Sequence, residues 1–277
     1  MVHLCLGGGS IRGFAILGAL NYLYMTNKIK KIHKLHACSV GSVIGVLIII
    51  GQTPREIFDY LLKQDFKKYW DFDIGRISSH GSILGDSIFN FFREYLSLFI
   101  DPNITISEFS KVYDVDLNII TTCINTMNSV IINKDTLGDT PLIDALCASS
   151  SIPFLFAPFK IGKYYYIDGA CRSMAGCLSK TINENTVVIK LSDEREEQEN
   201  FVFDNIKNYV YFILKTILTN DVKISSKYCL MLDIPKKFSG KFSFNDFTNS
   251  DKTELFFHGM KQSRTIFANT EFIDSQD

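Results

Sequence analysis

The sequence has almost no excess of charge. Over 277 residues the formal balance is −1, which argues against nucleic acid as the main partner, since phosphate backbones are held by a net basic surface. There is no CxxC and no regular cysteine spacing. The seven cysteines are scattered among mostly apolar neighbours, which predicts reduced thiols in a cytosolic-type compartment. Without a His/Cys cluster at ligand spacing or a calcium-loop pattern, no metal and no cofactor are expected. No unbroken apolar run reaches transmembrane length: 43–50 is short, and 202–218 is interrupted by polar residues. No basic segment precedes an apolar one near Met1, so no signal peptide is expected. Val2 gives no myristoylation acceptor. Repeats, low-complexity tracts and convincing linkers are also missing, so one domain over 1–277 is expected, with enough apolar residues for a large core.

The chain opens with an apolar strand, Val2–Leu6, that runs into Gly7-Gly8-Gly9-Ser10-Ile11-Arg12-Gly13 and then a helix with the small residues Ala15, Gly18 and Ala19. A glycine turn between strand and helix gathers consecutive N–H groups into an anion-binding concavity. The dinucleotide fingerprint is not met, because its third glycine falls on Ser10, and no Walker lysine follows. The segment is either a structural turn or an anion site, and Arg12 is placed to anchor the loop or meet an anionic headgroup.

Residues 35–50 repeat the strand–turn–helix form. Ala37-Cys38-Ser39-Val40-Gly41-Ser42 leads into an apolar helix. A serine at such a turn can present its Oγ above the sheet, beside the unpaired N–H groups of the new helix. The two readings open here are a packed βα turn and an elbow for a nucleophile. Two βα units within the first fifty residues imply a parallel sheet.

Further on, Thr53-Pro54 with Glu56 forms a capping box for a helix to about 67. Helices are expected over 87–99, 106–113, 140–149 and 251–268, the last capped by Ser250 or Asp251. Strands are expected over 117–123, 129–133, 164–167, 185–191 and 230–234. Residues 153–158 read as apolar loop, 192–198 as charged surface and 202–218 as an amphipathic helix. The strand at 164–167 ends on Asp168-Gly169-Ala170, either an ordinary turn or a place for a catalytic carboxylate. Serine needs a base within hydrogen-bond reach to become a nucleophile. None of the histidines His3, His33, His36, His80 and His258 falls in a post-strand loop late in the chain, and His36 lies three residues before Ser39 within its strand.

Taken together these segments resemble the patatin-like phospholipase family. The resemblance rests on Gly7–Gly13, on Ala37-Cys38-Ser39-Val40-Gly41 followed by Ser42, on 51–54 and 81–85, on 148–156, and on Asp168-Gly169-Ala170. Ser10 and Ala37 stand where the family has glycine, and Met174 and Gly176 stand near its usual Asn and Pro.

The resemblance implies a three-layer α/β/α fold with a mostly parallel central sheet and a Ser-Asp dyad. Ser39 would attack an ester carbonyl, and Asp168 would take its proton and return it to the leaving alcohol. The backbone N–H groups of Gly8, Gly9, Ser10 and Val40 would hold the oxyanion. Arg12 would brace the loop, and Gly13, Gly41, Gly169 and Ala170 complete the motifs. The implied substrate is a phospholipid or another fatty-acyl ester, met through transient peripheral membrane contact. Leu84, Phe89, Phe91, Phe92, Tyr95, Phe99, Phe154, Leu155 and Phe156 would line an acyl channel or belong to the core; Tyr95 needs a partner for its hydroxyl if buried. The alternative, fed by Ala37 and Ser10, is a catalytically weak or inactive lipid- or protein-binding protein on the same fold.

Overall fold

The computed structural model describes residues 2–69, 71, 73, 75–76, 82, 85–172, 182–192, 213, 226–238 and 246–270. Their order is β1 (Val2–Leu6), α1 (Gly13–Met25), β2 (Ile32–Ala37), α2 (Val40–Ile49), α3 (Pro54–Leu62), α4 (Ser87–Ser97), α5 (Ile106–Tyr113), β3 (Asp116–Cys123), β4 (Asn128–Ile132), α6 (Leu142–Ser150), β5 (Phe159–Ile161), β6 (Tyr164–Asp168), β7 (Val187–Leu191), β8 (Tyr228–Leu232) and α7 (Asn249–Phe267). The strands form one sheet in the order β5-β6-β3-β2-β1-β7-β8, with β4 also paired to β3. The pairings β1–β2, β1–β7, β2–β3 and β7–β8 are parallel, and those among β3, β4, β5 and β6 are antiparallel. This is the expected α/β architecture around a mostly parallel sheet. The near-continuous apolar runs of β1 and β7 suit strands covered on both faces.

The helices pack one large core against the sheet. Its closest crossing joins α1 to α7, far apart in sequence. A Cβ placed on Gly18 would come within 1.8 Å of the Phe256 carbonyl oxygen, and one on Gly259 within 2.0 Å of the Ala15 oxygen. Only glycine lets the two backbones touch there.

Several expectations shift. The helix from Pro54 keeps its Thr53–Glu56 capping box but ends at Leu62. Phe66–Tyr69 is a separate short turn that tucks Phe66 into the core. The last helix is capped by Thr248 in a box with Asp251, not by Ser250 or Asp251. β5 follows directly on the apolar loop expected over 153–158, where no element was expected; three residues pairing only with β6 leave no periodic signal. Cys5 is disulfide-bonded, against the expectation of reduced thiols, whereas Cys38, Cys123, Cys147, Cys171 and Cys229 are free. Chain folding, not spacing, decides which thiols meet. The amphipathic helix expected over 202–218 lies outside the described residues, save 213, as do 193–198, Leu84, Met174, Gly176 and most of 70–83.

One feature of the sheet places the site. Ile119 pairs with Ala37 of β2 on one side and Ile132 of β4 on the other, and Thr121 pairs with both Val130 of β4 and Asp168 of β6. Strands β2 and β6 therefore share one edge of β3 and run toward each other. Their ends face β3 residues two apart, about 7 Å at the usual strand rise.

Candidate active site

Ser39 lies just past the end of β2, with φ 53° and ψ −138°, and α2 starts at the next residue. Left-handed φ on a side chain other than glycine stores backbone strain, on the order of 1–3 kcal/mol, and persists only where neighbours hold it. The neighbours here are specific. The Ser39 N–H donates to Ser149 Oγ (2.9 Å), whose hydroxyl donates to the Ile120 carbonyl (2.7 Å). The Ser39 carbonyl accepts from the Ser42 N–H (2.9 Å) and from Ser42 Oγ (2.6 Å). Gly41 completes the turn: a Cβ there would meet the Gly7 oxygen at 2.4 Å. Ala37, by contrast, sits in the regular ladder between Leu6 and Ile119, so the strand takes its methyl group without strain.

Asp168 ends β6 and is 1% exposed. Its N–H donates to the Ser151 carbonyl (2.9 Å), and one carboxylate oxygen accepts from the Ala170 N–H (2.8 Å), with Gly169 opening the turn between them. Burial raises its pKa from 3.8 to about 6, against the opposing pull of hydrogen bonds from the Ser39 side chain and the Ala170 N–H. The serines closing α6 thus grip both sides of the site. Ser149 holds the backbone of Ser39 and Ser151 that of Asp168. In the sequence this run of serines stands out only through the family resemblance; the Ser149–Ser39 hydrogen bond, 110 positions apart, leaves no local signal.

The glycine turn lies over Ser39. A Cβ on Gly8 would be 3.0 Å from that of Ser39. The Gly8 N–H is engaged by the Cys38 sulfur, whose thiol burial pushes far up its scale. The N–H groups of Gly9, Ser10 and Val40 donate to no backbone carbonyl among the described residues. Ser10 has φ 51°, so the serine occupies a conformation that favours glycine. Arg12 closes the short turn, its N–H on the Gly9 carbonyl (3.0 Å), and Gly13 opens α1.

From Ser39 an apolar cavity extends between α1, α2, α3 and α4. Val40, Val43, Ile44 and Leu47 give it one face of α2. Phe89, Phe91, Phe92, Tyr95 and Phe156 line it and at the same time belong to or pack against the core. Phe99 and Phe154 are exposed and Leu155 is buried elsewhere; none of these three lines the cavity.

Comparison with known proteins follows the same outline. Residues 4–179 match the family model described as patatin-like phospholipase. The chain is 34% identical over 171 residues to "Probable lipid hydrolase 463L" of Invertebrate iridescent virus 6, covering 60% of this chain and 58% of that protein. It is 26% identical over 247 residues to the uncharacterized protein R571 of Acanthamoeba polyphaga mimivirus, covering 82% and 80%. Among solved structures it resembles the type III effector protein ExoU of Pseudomonas aeruginosa (TM-score 0.57, 13% identity, 98% of this chain and 53% of that one). VipD from Legionella pneumophila is similar at TM-score 0.56 and 12% identity, over 96% and 67%. The chain spans little more than half the length of the lipid hydrolase and of ExoU, and likeness at such low identity speaks for the fold alone. Because the family match runs from the first strand past Asp168, over more than half the residues, the chain belongs to the patatin-like phospholipase family.

Proposed function

We propose that this chain is a lipid acyl-ester hydrolase in which Ser39 is the nucleophile and Asp168 its base, with 1–277 acting as one domain. The observation that carries the reading is the pairing of a strained, clamped serine with a buried carboxylate of raised pKa, at the ends of two strands on one edge of β3. A base works best when its pKa lies near the working pH, and about 6 meets that need where an ordinary aspartate would not.

Attack by Ser39 Oγ on the ester carbonyl forms the carbon–oxygen bond while its proton passes to Asp168. The carbonyl oxygen becomes an oxyanion, for which the N–H groups of Gly9, Ser10 and Val40 are the available donors. Gly8 belongs to this set only if its N–H leaves the Cys38 sulfur. Collapse breaks the bond to the leaving alcohol, which takes the proton from Asp168, and leaves the acyl group on Ser39. Water then attacks the acyl-enzyme, losing its proton to Asp168, and Ser39 recovers a proton as the fatty acid departs. Arg12 braces the loop. The apolar cavity suits a fatty acyl chain, and contact with a lipid surface is transient and peripheral. Among the described residues no helix is long and apolar enough to cross a membrane.

A second reading, a weak or inactive binder, draws support from one observation, the strained Ser10 in the glycine turn. Hydrolysis of a panel of phospholipids, lysophospholipids and neutral esters, by the intact chain and by Ser39→Ala, separates the two. The proposal expects turnover of at least one lipid class, lost in the variant. Binding without turnover would favour the second reading.

A further inference from the structure

The cavity that leads from Ser39 is apolar with few exceptions. Ser10, Ser39 and Ser150 cluster at the elbow, and Tyr95 stands apart on α4. Tyr95 is 2% exposed, and its hydroxyl has no hydrogen-bond partner among the described residues. Its ring is fixed: it stacks on Tyr60 of α3 at 3.9 Å between centroids and 5° between planes, and meets Phe99 edge-on at 5.7 Å. The charged and titratable groups that act on it are Tyr60 and Glu56, both of α3, not Asp168. Tyr95 therefore lines the proposed acyl path from α4, a different element from those that carry Ser39 and Asp168. The α2 wall of that path, from Val40 to Leu47, is about 10 Å long at the helical rise.

A buried hydroxyl without a partner is costly, and most are satisfied. Phenylalanine would fill the same wall without that cost. Tyr60 and Phe99 also hold the ring, so the hydroxyl cannot swing out to solvent without breaking both contacts. What is missing is an oxygen, and the cavity that Tyr95 lines is where a ligand can supply it. From this, and resting on the acyl-ester reading above, we infer that the pocket selects acyl chains bearing an oxygen substituent along the chain, a hydroxyl, keto or epoxide group that accepts a hydrogen bond from Tyr95. Ser150, also partnerless, lines the cavity next to Ser149, which holds the Ser39 N–H, so it belongs to the elbow end and does not duplicate this contact.

The test compares esters of octadecanoic acid with esters whose chain carries one hydroxyl, walked from carbon to carbon. At one or two positions the hydroxylated ester should exceed the plain one about tenfold in kcat/KM, the scale of one neutral hydrogen bond to an otherwise unpaired group. Tyr95→Phe should bring that ratio to about one. A ratio near one at every position in the parent, as expected if water already serves Tyr95, would overturn the inference. So would a preference that survives Tyr95→Phe. Calorimetric binding of hydroxyoctadecanoic and octadecanoic acids to Ser39→Ala gives a readout that needs no catalysis and no folded Tyr95 variant. A preference in binding with no hydrolysis by the parent would sink the proposed activity and keep this inference; hydrolysis with no preference would do the reverse.

Discussion

Replacing Asp168 with asparagine should cost activity and add stability, and both follow from one fact. Burial holds the native carboxyl at a pKa of about 6, against 3.8 for an exposed aspartate. That difference corresponds to about 3 kcal/mol. A native pKa above the unfolded one means that the folded chain keeps the proton where the unfolded chain has lost it. The stabilising contribution is full below pH 3.8 and is lost as pH rises through 6, so at pH 7 the ionised carboxylate weighs against the fold. Asparagine keeps the shape and can still accept the Ala170 N–H through its oxygen, without a charge to bury. We expect Asp168→Asn to be more stable than the parent at pH 7 by about 1–3 kcal/mol, a rise in melting temperature of several degrees for a chain of this size. The gap should close near pH 4. Denaturant titrations of both proteins at pH 4, 5.5, 7 and 8 measure this directly. Turnover should fall by about 10²–10⁴, the usual contribution of a general base, and the parent's kcat/KM should climb with pH through about 6. An asparagine variant less stable than the parent at pH 7, with the gap unchanged at pH 4, would mean that the buried carboxylate does not weigh against the fold.

Three other changes perturb residues around the candidate site and the sheet. Ser149→Ala leaves the Ser39 N–H without its acceptor and should lower turnover about ten- to a hundredfold while the chain still unfolds cooperatively, since the loss falls on the geometry of the elbow. Ser10→Gly relieves the left-handed backbone at φ 51°; we expect stability equal to or up to about 1 kcal/mol above the parent by denaturant titration, with turnover kept or raised. His36 is buried with both ring nitrogens unpartnered, and burial lowers its pKa to about 4. The unfolded chain therefore takes up the proton first, and stability present above pH 6.5 is lost as pH falls toward 4, by about 3 kcal/mol. His36→Leu should flatten that acid limb, as followed by denaturation between pH 7 and 4.

The two halves of the site were legible in the sequence for a local reason. Strand, turn and helix around Ser39 lie within a dozen residues, and Asp168-Gly169-Ala170 closes a strand; each leaves its pattern in consecutive residues. Their pairing was expected only from the family resemblance and from no local pattern, because it depends on β2 and β6 sharing one edge of β3. Nor does a local pattern mark the roles of Ser149 and Ser151, whose partners are distant, or the crossing of α1 and α7 through Gly18 and Gly259. The doubts raised by two departures from glycine separate only with backbone angles in hand. Ala37 lies in regular strand and costs nothing, whereas Ser10 sits where glycine is preferred. Tyr95 was singled out by chemistry alone, as a hydroxyl that would need a partner if buried; the fold supplies the burial and leaves the partner to a ligand.

In the proposed mechanism Ser39, activated by Asp168, becomes covalently acylated. A long-chain alkyl fluorophosphonate reacts with activated serines and stops at the covalent adduct, so peptide mapping by mass spectrometry after treatment tests the claim without knowledge of the natural lipid. We expect one modified residue, Ser39, with labelling slowed at least a hundredfold in Asp168→Asn and rising in the parent as pH passes through about 6. Modification of another residue, or labelling of Ser39 at the parent's rate in folded Asp168→Asn, would contradict that mechanism.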